Sequence, residues 1–221
     1  MSTTYSFSKI NAYRTCPYQW YEKYISKTVE FKPTAATQWG VDTHTAAEHC
    51  INDSKPLTER YALLKPYIDK ILATPGTKRA EVEYAVTVDL KPCDFWNSSA
   101  WLRGKLDVEI NQGDKVHILD WKTGRAKPTD FNELRCFSVL TFLNNPEVDK
   151  TRNSYIWLKL DSKPTVEFQD RSNLMSLIEP LQETIDLIER DVSSGVFRPK
   201  PSGLCGAWCD VVSCKHNGKN K

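Results

Sequence analysis

The sequence has no apolar run approaching the roughly 20 residues that cross a bilayer, and its polar start, MSTTYSFSK, lacks the apolar core of a signal peptide. A soluble, cytoplasmic protein without a membrane partner is therefore expected. Excess charge of one sign is also missing. The 30 Lys and Arg nearly balance the 28 Asp and Glu, leaving a formal net charge of +2. Any attraction to nucleic acid would then come from a local groove. There is no internal repeat, no low-complexity tract and no Walker-type phosphate loop, so a motor would have to be a partner. What is present is a chain of 221 residues with 12 prolines, 7 tryptophans and 40% hydrophobic residues. That is enough to bury a core, and the pattern below fits one domain over 1–221, with a helical part at 1–75, a sheet core at 76–170, and a helix and cysteine segment at 171–221.

The stretch 101–124, WLRGKLDVEINQGDKVHILDWKTG, reads as a β-hairpin. Gly113-Asp114 offers a two-residue turn with Gly first, pairing Gln112 with Lys115 and setting Asp107 opposite Asp120. Because strand side chains alternate, Lys105, Asp107, Glu109, Asp120 and Lys122 share one face, and Leu106, Val108, Ile110, Leu119 and Trp121 share the other. Two adjacent carboxylates repel unless one is protonated or a cation lies between them. A hard divalent ion, Mg2+ or Mn2+, suits them, and Lys122 adds a positive group for a phosphate or an attacking water. An ordinary charged hairpin face, stabilised by cross-strand pairing, is the competing account, and the hairpin geometry and the apolar opposite face weaken it.

Seven cysteines is an odd number, and Cys205-x3-Cys209-x4-Cys214 crowd together near the C-terminus. In a reducing compartment such crowding points to metal rather than to a disulfide. With His216 these three could form a local Cys3His zinc site. Cys50, Cys93 and Cys136 read as buried free thiols.

Along the chain, 5–26 reads as a helix entered from Ser6 or Ser8 and broken at Cys16-Pro17. Its aromatics, Tyr13, Tyr18, Trp20, Tyr21 and Tyr24, are too many for one buried stripe, which leaves some for a ligand, while a packed helix with tyrosines at its rim is the safer reading for each taken singly. Residues 38–51 form a second helix on which His44 and Glu48 share a face, and 57–72 a third, kinked at Pro66. Residues 79–90 alternate as a strand with Glu81 and Glu83 on one face. A helix over 130–143 capped by Thr129 or Asp130, strands at 153–160 and 163–168, and a long amphipathic helix over 173–192 complete an α/β reading.

In order, FSKINAYRTCPYQWYEKYI, Gly40-x3-His44, Glu83 on a strand, Arg103-Gly104-x2-Asp107, Asp120-Trp121-Lys122-Thr123-Gly124 and the terminal cysteines resemble the RecB-like branch of the PD-(D/E)XK nucleases. More narrowly they resemble its iron-sulfur members, which include CRISPR-associated RecB-like exonucleases, the AddB-type helicase-nuclease subunit and small phage exonucleases. The resemblance implies a restriction-endonuclease-like α/β core, a mixed central sheet flanked by helices, with the N-terminal helices and C-terminal cysteine segment joined by a metal cluster. It implies His44, Asp107 and Asp120 as metal ligands, helped by the carbonyl of residue 121. Lys122 would position or deprotonate the attacking water, and Glu83 would be the acid on the preceding strand. It further implies Cys16, Cys205, Cys209 and Cys214 as ligands of a [4Fe-4S] cluster, with zinc as the alternative cofactor.

The expected activity is Mg2+- or Mn2+-dependent exonucleolytic hydrolysis of DNA, as single strands or duplex ends, alongside a helicase or recombination partner and in the host cytoplasm if phage-encoded. Arg103, Lys105, Arg125 and Lys127 are candidates to grip the backbone, and Tyr18, Trp20 or Tyr21 to stack on bases. One motif departs from the family. Where Gln-x3-Tyr is usual, this chain has Glu133 and Phe137; the first loses an amide donor, and the second keeps a stacking ring without its hydroxyl. The alternatives are a catalytically weak DNA-binding protein that keeps the nuclease fold and a zinc-stabilised interaction protein.

Overall fold

A computed structural model describes residues 4–30, 32–124, 130–159 and 163–220; Arg125, Lys127 and Thr129 lie outside them. The chain divides into two compact units, Met1–Thr4 with Pro33–Ile178, and Tyr5–Lys32 with Glu179–Lys221.

The first unit is built on a mixed sheet. Its strands are β1 (Thr77–Val86), β2 (Pro92–Cys93), β3 (Leu102–Asn111), β4 (Lys115–Lys122), β5 (Lys150–Trp157) and β6 (Thr165–Asp170), in the order β2-β1-β3-β4-β5-β6. Every neighbouring pair is antiparallel except β4 and β5. Between those two runs a helix (Asn132–Asn144), the crossover that parallel neighbours need. The β3–β4 hairpin has the expected register. Val108 pairs with Leu119 and Ile110 with His117, the Gln112 N–H donates to the Lys115 carbonyl at 2.8 Å, and Gly113 has φ +89°.

Ahead of the sheet, a helix over Ala35–Asp53 starts three residues before the expected Gln38. Thr34 and Thr37 form a reciprocal capping box there, each accepting the other's backbone N–H. Pro66 does not kink a helix. A 3-10 turn (Glu59–Leu64) precedes a separate helix (Lys65–Ala73), and Pro66 sits in its first turn, where its missing N–H leaves no bond unmade. The helices Ala35–Asp53 and Lys65–Ala73 and the 3-10 turn between them cover one sheet face, packing Ala47, Ile51, Leu64, Ile68 and Ile71 against Val108, Ile110, Leu119 and Trp121.

The opposite face meets the helix Asn132–Asn144, whose Leu140 and Phe137 lie against Gly104. Glu109, expected on an open charged face, is instead fully buried; Arg79 (Nη2–Oε1 2.6 Å) and the Tyr84 hydroxyl (2.7 Å) donate to it. Arg79 and Tyr84 are five residues apart on β1, an odd spacing that strict alternation would send to opposite faces. The strand therefore changes faces between them, and Glu81 lies there with φ +56°.

The second unit holds helices over Phe7–Thr15 and Pro17–Tyr24, and the long helix Leu174–Ser194 enters it at Glu179. Extended Cys16 (φ −162°) ends the first helix and opens the second, with Pro17 at its first position. The aromatics expected at a ligand are mostly spent on packing. Trp20 and Tyr13 are buried edge-to-face with centroids 5.8 Å apart, Trp20 and Tyr21 stack on Phe197, and the Tyr13 hydroxyl donates to Asp191 at 2.5 Å. Among the described residues no helix is long and apolar enough to cross a membrane.

Candidate functional site

The antiparallel pairing of β3 with β4 stops at Val108 and Leu119, one step short of Asp107 and Asp120. Where the backbones part, the Asp107 side chain takes over, and its Oδ2 accepts the Trp121 N–H at 2.8 Å. This fixes the carboxylate and turns Oδ1 toward His44, whose Nδ1 is 3.2 Å away. The same Nδ1 lies 3.6 Å from Glu81 Oε1. His44, Glu81 and Asp107 thus bring one ligand atom each within 4.8 Å of one another, the sole such group of three His, Cys, Asp or Glu side chains among the described residues.

Of the two β1 acids, Glu81 rather than the expected Glu83 lies beside His44 and Asp107. Glu83 pairs across β1–β3 with Lys105 and its side chain is exposed. No sequence signal separates the two glutamates, since both sit on one side of an ideal strand. Only the left-handed backbone at Glu81, rare for a residue with a Cβ, aims it at His44.

Charge in the group is balanced by protons and by Lys105, whose Nζ is 2.8 Å from Glu81 Oε2. Burial works against a charged His44, but the hydrogen bonds and charges of Asp107 and Glu81 outweigh it and push the imidazole up to about 10. Glu81 moves the opposite way. Its burial favours the neutral acid, yet His44 and Lys105 hold it below the ordinary glutamate value.

Asp120 is brought to the same strand end, outside the group of three but close enough to feel the Asp107 charge. It is buried between Lys122 (Nζ–Oδ2 2.7 Å) and the helix Asn132–Asn144, and Glu133 Oε2 lies 2.8 Å from the same Nζ. Tyr155, opposite Asp120 in the β4–β5 register, places its ring 4.8 Å from Lys122 Nζ. Burial and then the Asp107 charge drive the Asp120 carboxyl well above its ordinary value, with Lys122 pulling it back. Lys122 is half-buried, which disfavours its charge, but Asp120 and Glu133 more than offset that, and its ammonium is held more firmly than a free lysine's. Among the described residues, Lys122 Nζ is the one charged partner near Asp120 Oδ2, an oxygen buried with no other polar neighbour to satisfy it.

The departures at Glu133 and Phe137 acquire definite roles. Glu133 grips Lys122, and Phe137 is buried against Gly104, so its ring is not a stacking surface.

In the second unit Cys16, Cys205, Cys209 and Cys214 line one cavity of about 80 Å³, together with His216 and Tyr18. Backbone N–H groups of Lys200 and Ser202 point at the sulfurs of Cys16 and Cys205, each at 3.4 Å. Burial raises the Cys209 thiol, and Cys205, Cys16 and Cys214 add to the shift. No three of these sulfurs come within 4.8 Å of each other. Cys50, Cys93 and Cys136 do not line this cavity; of the three expected to be buried, Cys136 is, and Cys50 and Cys93 are half-buried.

A family model described as "PD-(D/E)XK nuclease superfamily" matches residues 4–214. No curated protein matches the chain. Among solved structures, a candidate exonuclease from Eubacterium rectale is similar, with TM-score 0.58 and 13% identity over 93% of this chain and 86% of that one. The protein SSO0001 aligns at TM-score 0.45 and 14% identity over 98% and 88% of the two chains, too distant for argument. The mixed six-stranded sheet flanked by helices is the restriction-endonuclease-like α/β arrangement.

Proposed function

The chain belongs to the PD-(D/E)XK nuclease superfamily, and from that premise we propose that it is a Mg2+- or Mn2+-dependent exonuclease of the RecB-like branch acting on DNA. The observation that carries this reading is the His44–Glu81–Asp107 group beside the buried Asp120–Lys122 pair. Two carboxylates and an imidazole, with the Asp120 carboxylate at the same strand end, suit a hard divalent ion. His44, Glu81, Asp107 and Asp120 would hold the ion. When bound, it supplies Lewis acidity toward a phosphate oxygen and lowers the pKa of a coordinated water.

The remaining work falls to the chain. Asp107, fixed by the Trp121 N–H, keeps its Oδ1 turned toward His44, where the ion would sit. Lys122 is best placed as a protonated donor to the phosphate or the incoming water, because two carboxylates hold its proton. Exonuclease is preferred over endonuclease because the similar structure from Eubacterium rectale is named as a candidate exonuclease. A helicase or recombination partner would supply unwinding.

The four cysteines support a [4Fe-4S] cluster. Cys16 lines the same cavity as the other three, and no three of the sulfurs lie within 4.8 Å of one another, a spread that suits a cubane better than one zinc ion with 2.3 Å bonds. Glu133 favours a second reading, a weakened nuclease that mainly binds DNA, because it occupies Lys122.

The test is digestion of end-labelled single-stranded, blunt and closed circular DNA with Mg2+ or Mn2+. Wild type and Glu83→Gln should shorten the linear substrates, while Glu81→Gln, Asp107→Ala, Asp120→Ala and Lys122→Ala should fall to background. Cleavage at the wild-type rate by Asp107→Ala would remove the metal site. Cutting of closed circles would make the enzyme an endonuclease, and binding without cleavage across metals would establish the second reading.

A further inference from the structure

Beyond the metal group, one surface of the first unit has a composition that packing does not account for. Between β2 and β3 the chain runs Asp94-Phe95-Trp96-Asn97 and presents Trp96 with 75% of its surface exposed. Burial therefore stabilises this ring very little. Its loop is nevertheless firmly built. The Asn97 N–H donates to the Asp94 carbonyl at 2.9 Å, the Asn97 side chain accepts from the Ser99 N–H and hydroxyl at 2.8 Å each, and Ala100 and Trp101 are buried, with the Trp101 N–H on the Val86 carbonyl.

Arg103 anchors the ring from below. Its Nη1 donates to the Phe95 carbonyl at 3.3 Å, and its guanidinium carbon lies 4.6 Å from the Trp96 ring centroid and 5.0 Å from that of Phe95. Phe95 and Trp96 meet edge to face at 5.1 Å. The result is a preorganised layer of guanidinium and indole with one indole face open.

The layer is aligned with the metal ligands. Arg103 and Lys105 share a face of β3, and Lys105 reaches Glu81 of the ligand group. Along the strand, Arg103 precedes Asp107 by four residues, roughly 13 Å of extended backbone. That span is a few nucleotides of a single strand.

We propose that Trp96 and Arg103, backed by Phe95, form a stacking platform for an unpaired base of single-stranded DNA flanking the phosphate held at His44, Glu81 and Asp107. This deepens the nuclease reading and rests on it for the identity of the ligand. An open indole face takes any base, because every base has a π-face, and the neighbouring guanidinium supplies charge to the backbone. Bases stacked within a duplex offer no free face, so the platform selects single strands or frayed ends.

The experiment measures anisotropy of a labelled oligo(dT) and of a blunt duplex of equal length, with the full chain in EDTA, for wild type, Trp96→Ala and Trp96→Phe. Trp96→Ala should weaken oligo(dT) binding by about 5- to 150-fold and leave the duplex within about twofold, while Trp96→Phe keeps most of the affinity. With so exposed a ring, the thermal midpoint should stay unchanged, which excludes misfolding as the cause. Wild-type affinity of Trp96→Ala for oligo(dT) overturns the platform and leaves the surface to a protein partner. Equal losses on both DNAs overturn the single-strand preference. The two readings fail separately. A wild-type chain that cleaves nothing but loses oligo(dT) on Trp96→Ala refutes the nuclease alone, and one that cleaves normally with unaltered Trp96→Ala binding refutes the platform alone.

Discussion

His44 and His117 are each held by two polar neighbours that move their proton affinities in opposite directions. Carboxylates surround His44 and push it up to about 10, whereas burial and then the Arg152 charge push His117 down to about 4. The contacts of His117 agree with a neutral ring. Arg152 Nη1 approaches Nδ1 at 3.4 Å as a donor, leaving Nε2–H to donate to the Ser154 hydroxyl at 2.9 Å. Between pH 4 and 6.5 the unfolded chain binds a proton there that the folded chain refuses. The contribution is therefore complete above pH 6.5 and lost as the pH falls toward 4, by up to about 3 kcal/mol. Urea unfolding of wild type and His117→Gln across that window should show a smaller acid loss in the variant; parallel curves would refute the assignment. Residues with a spacing signal were legible at this scale. Asp107, Asp120 and Lys122 followed from the hairpin, and His44 from its place in the family order. Glu81 was not, because the choice between Glu81 and Glu83 rests on one positive φ.

At the scale of elements, the hairpin was readable because Gly113 sets its turn, and a one-residue slip would carry Leu119 and Trp121 out of the core. The turnover of β1 was not readable, since alternation assumes a regular strand and Tyr84 and Arg79 meet only after Glu81 departs from it. Nor did the sequence show that Phe137 is a packing residue. Its ring and Leu140 bring the helix Asn132–Asn144 onto β3 over Gly104, and an added Cβ there would lie 2.7 Å from Leu140 Cδ1 and 3.0 Å from Phe137 Cε1. Both neighbours are buried and have little room to yield. Gly104→Ala should cost about 1–3 kcal/mol and lower the thermal midpoint. It should also disturb Lys122 through Glu133, on the same helix, so cleavage should drop at temperatures where the variant is still folded. An unchanged midpoint would show that the helix rides further from the sheet than the contacts imply.

At the scale of the molecule, the second unit is assembled from two segments far apart in the chain, Tyr5–Lys32 and Glu179–Lys221, with the sheet-bearing Pro33–Ile178 between them in sequence. Bringing Cys16 to Cys205 closes a loop of roughly 190 residues, and a permanent tie across so long a loop removes much unfolded-state entropy, about 5 kcal/mol by the relation used for cross-links. A cluster on the four cysteines would be such a tie. Cys16→Ser should therefore abolish the visible absorbance of anaerobically purified protein and lower its urea midpoint, whereas Cys93→Ser, on β2 and away from the cavity, should keep the colour. The contrast also separates the two metal chemistries. A local zinc site of Cys205, Cys209, Cys214 and His216 does not use Cys16, so colourless protein with one equivalent of zinc and an unchanged midpoint in Cys16→Ser would exclude the cluster and the long tie together.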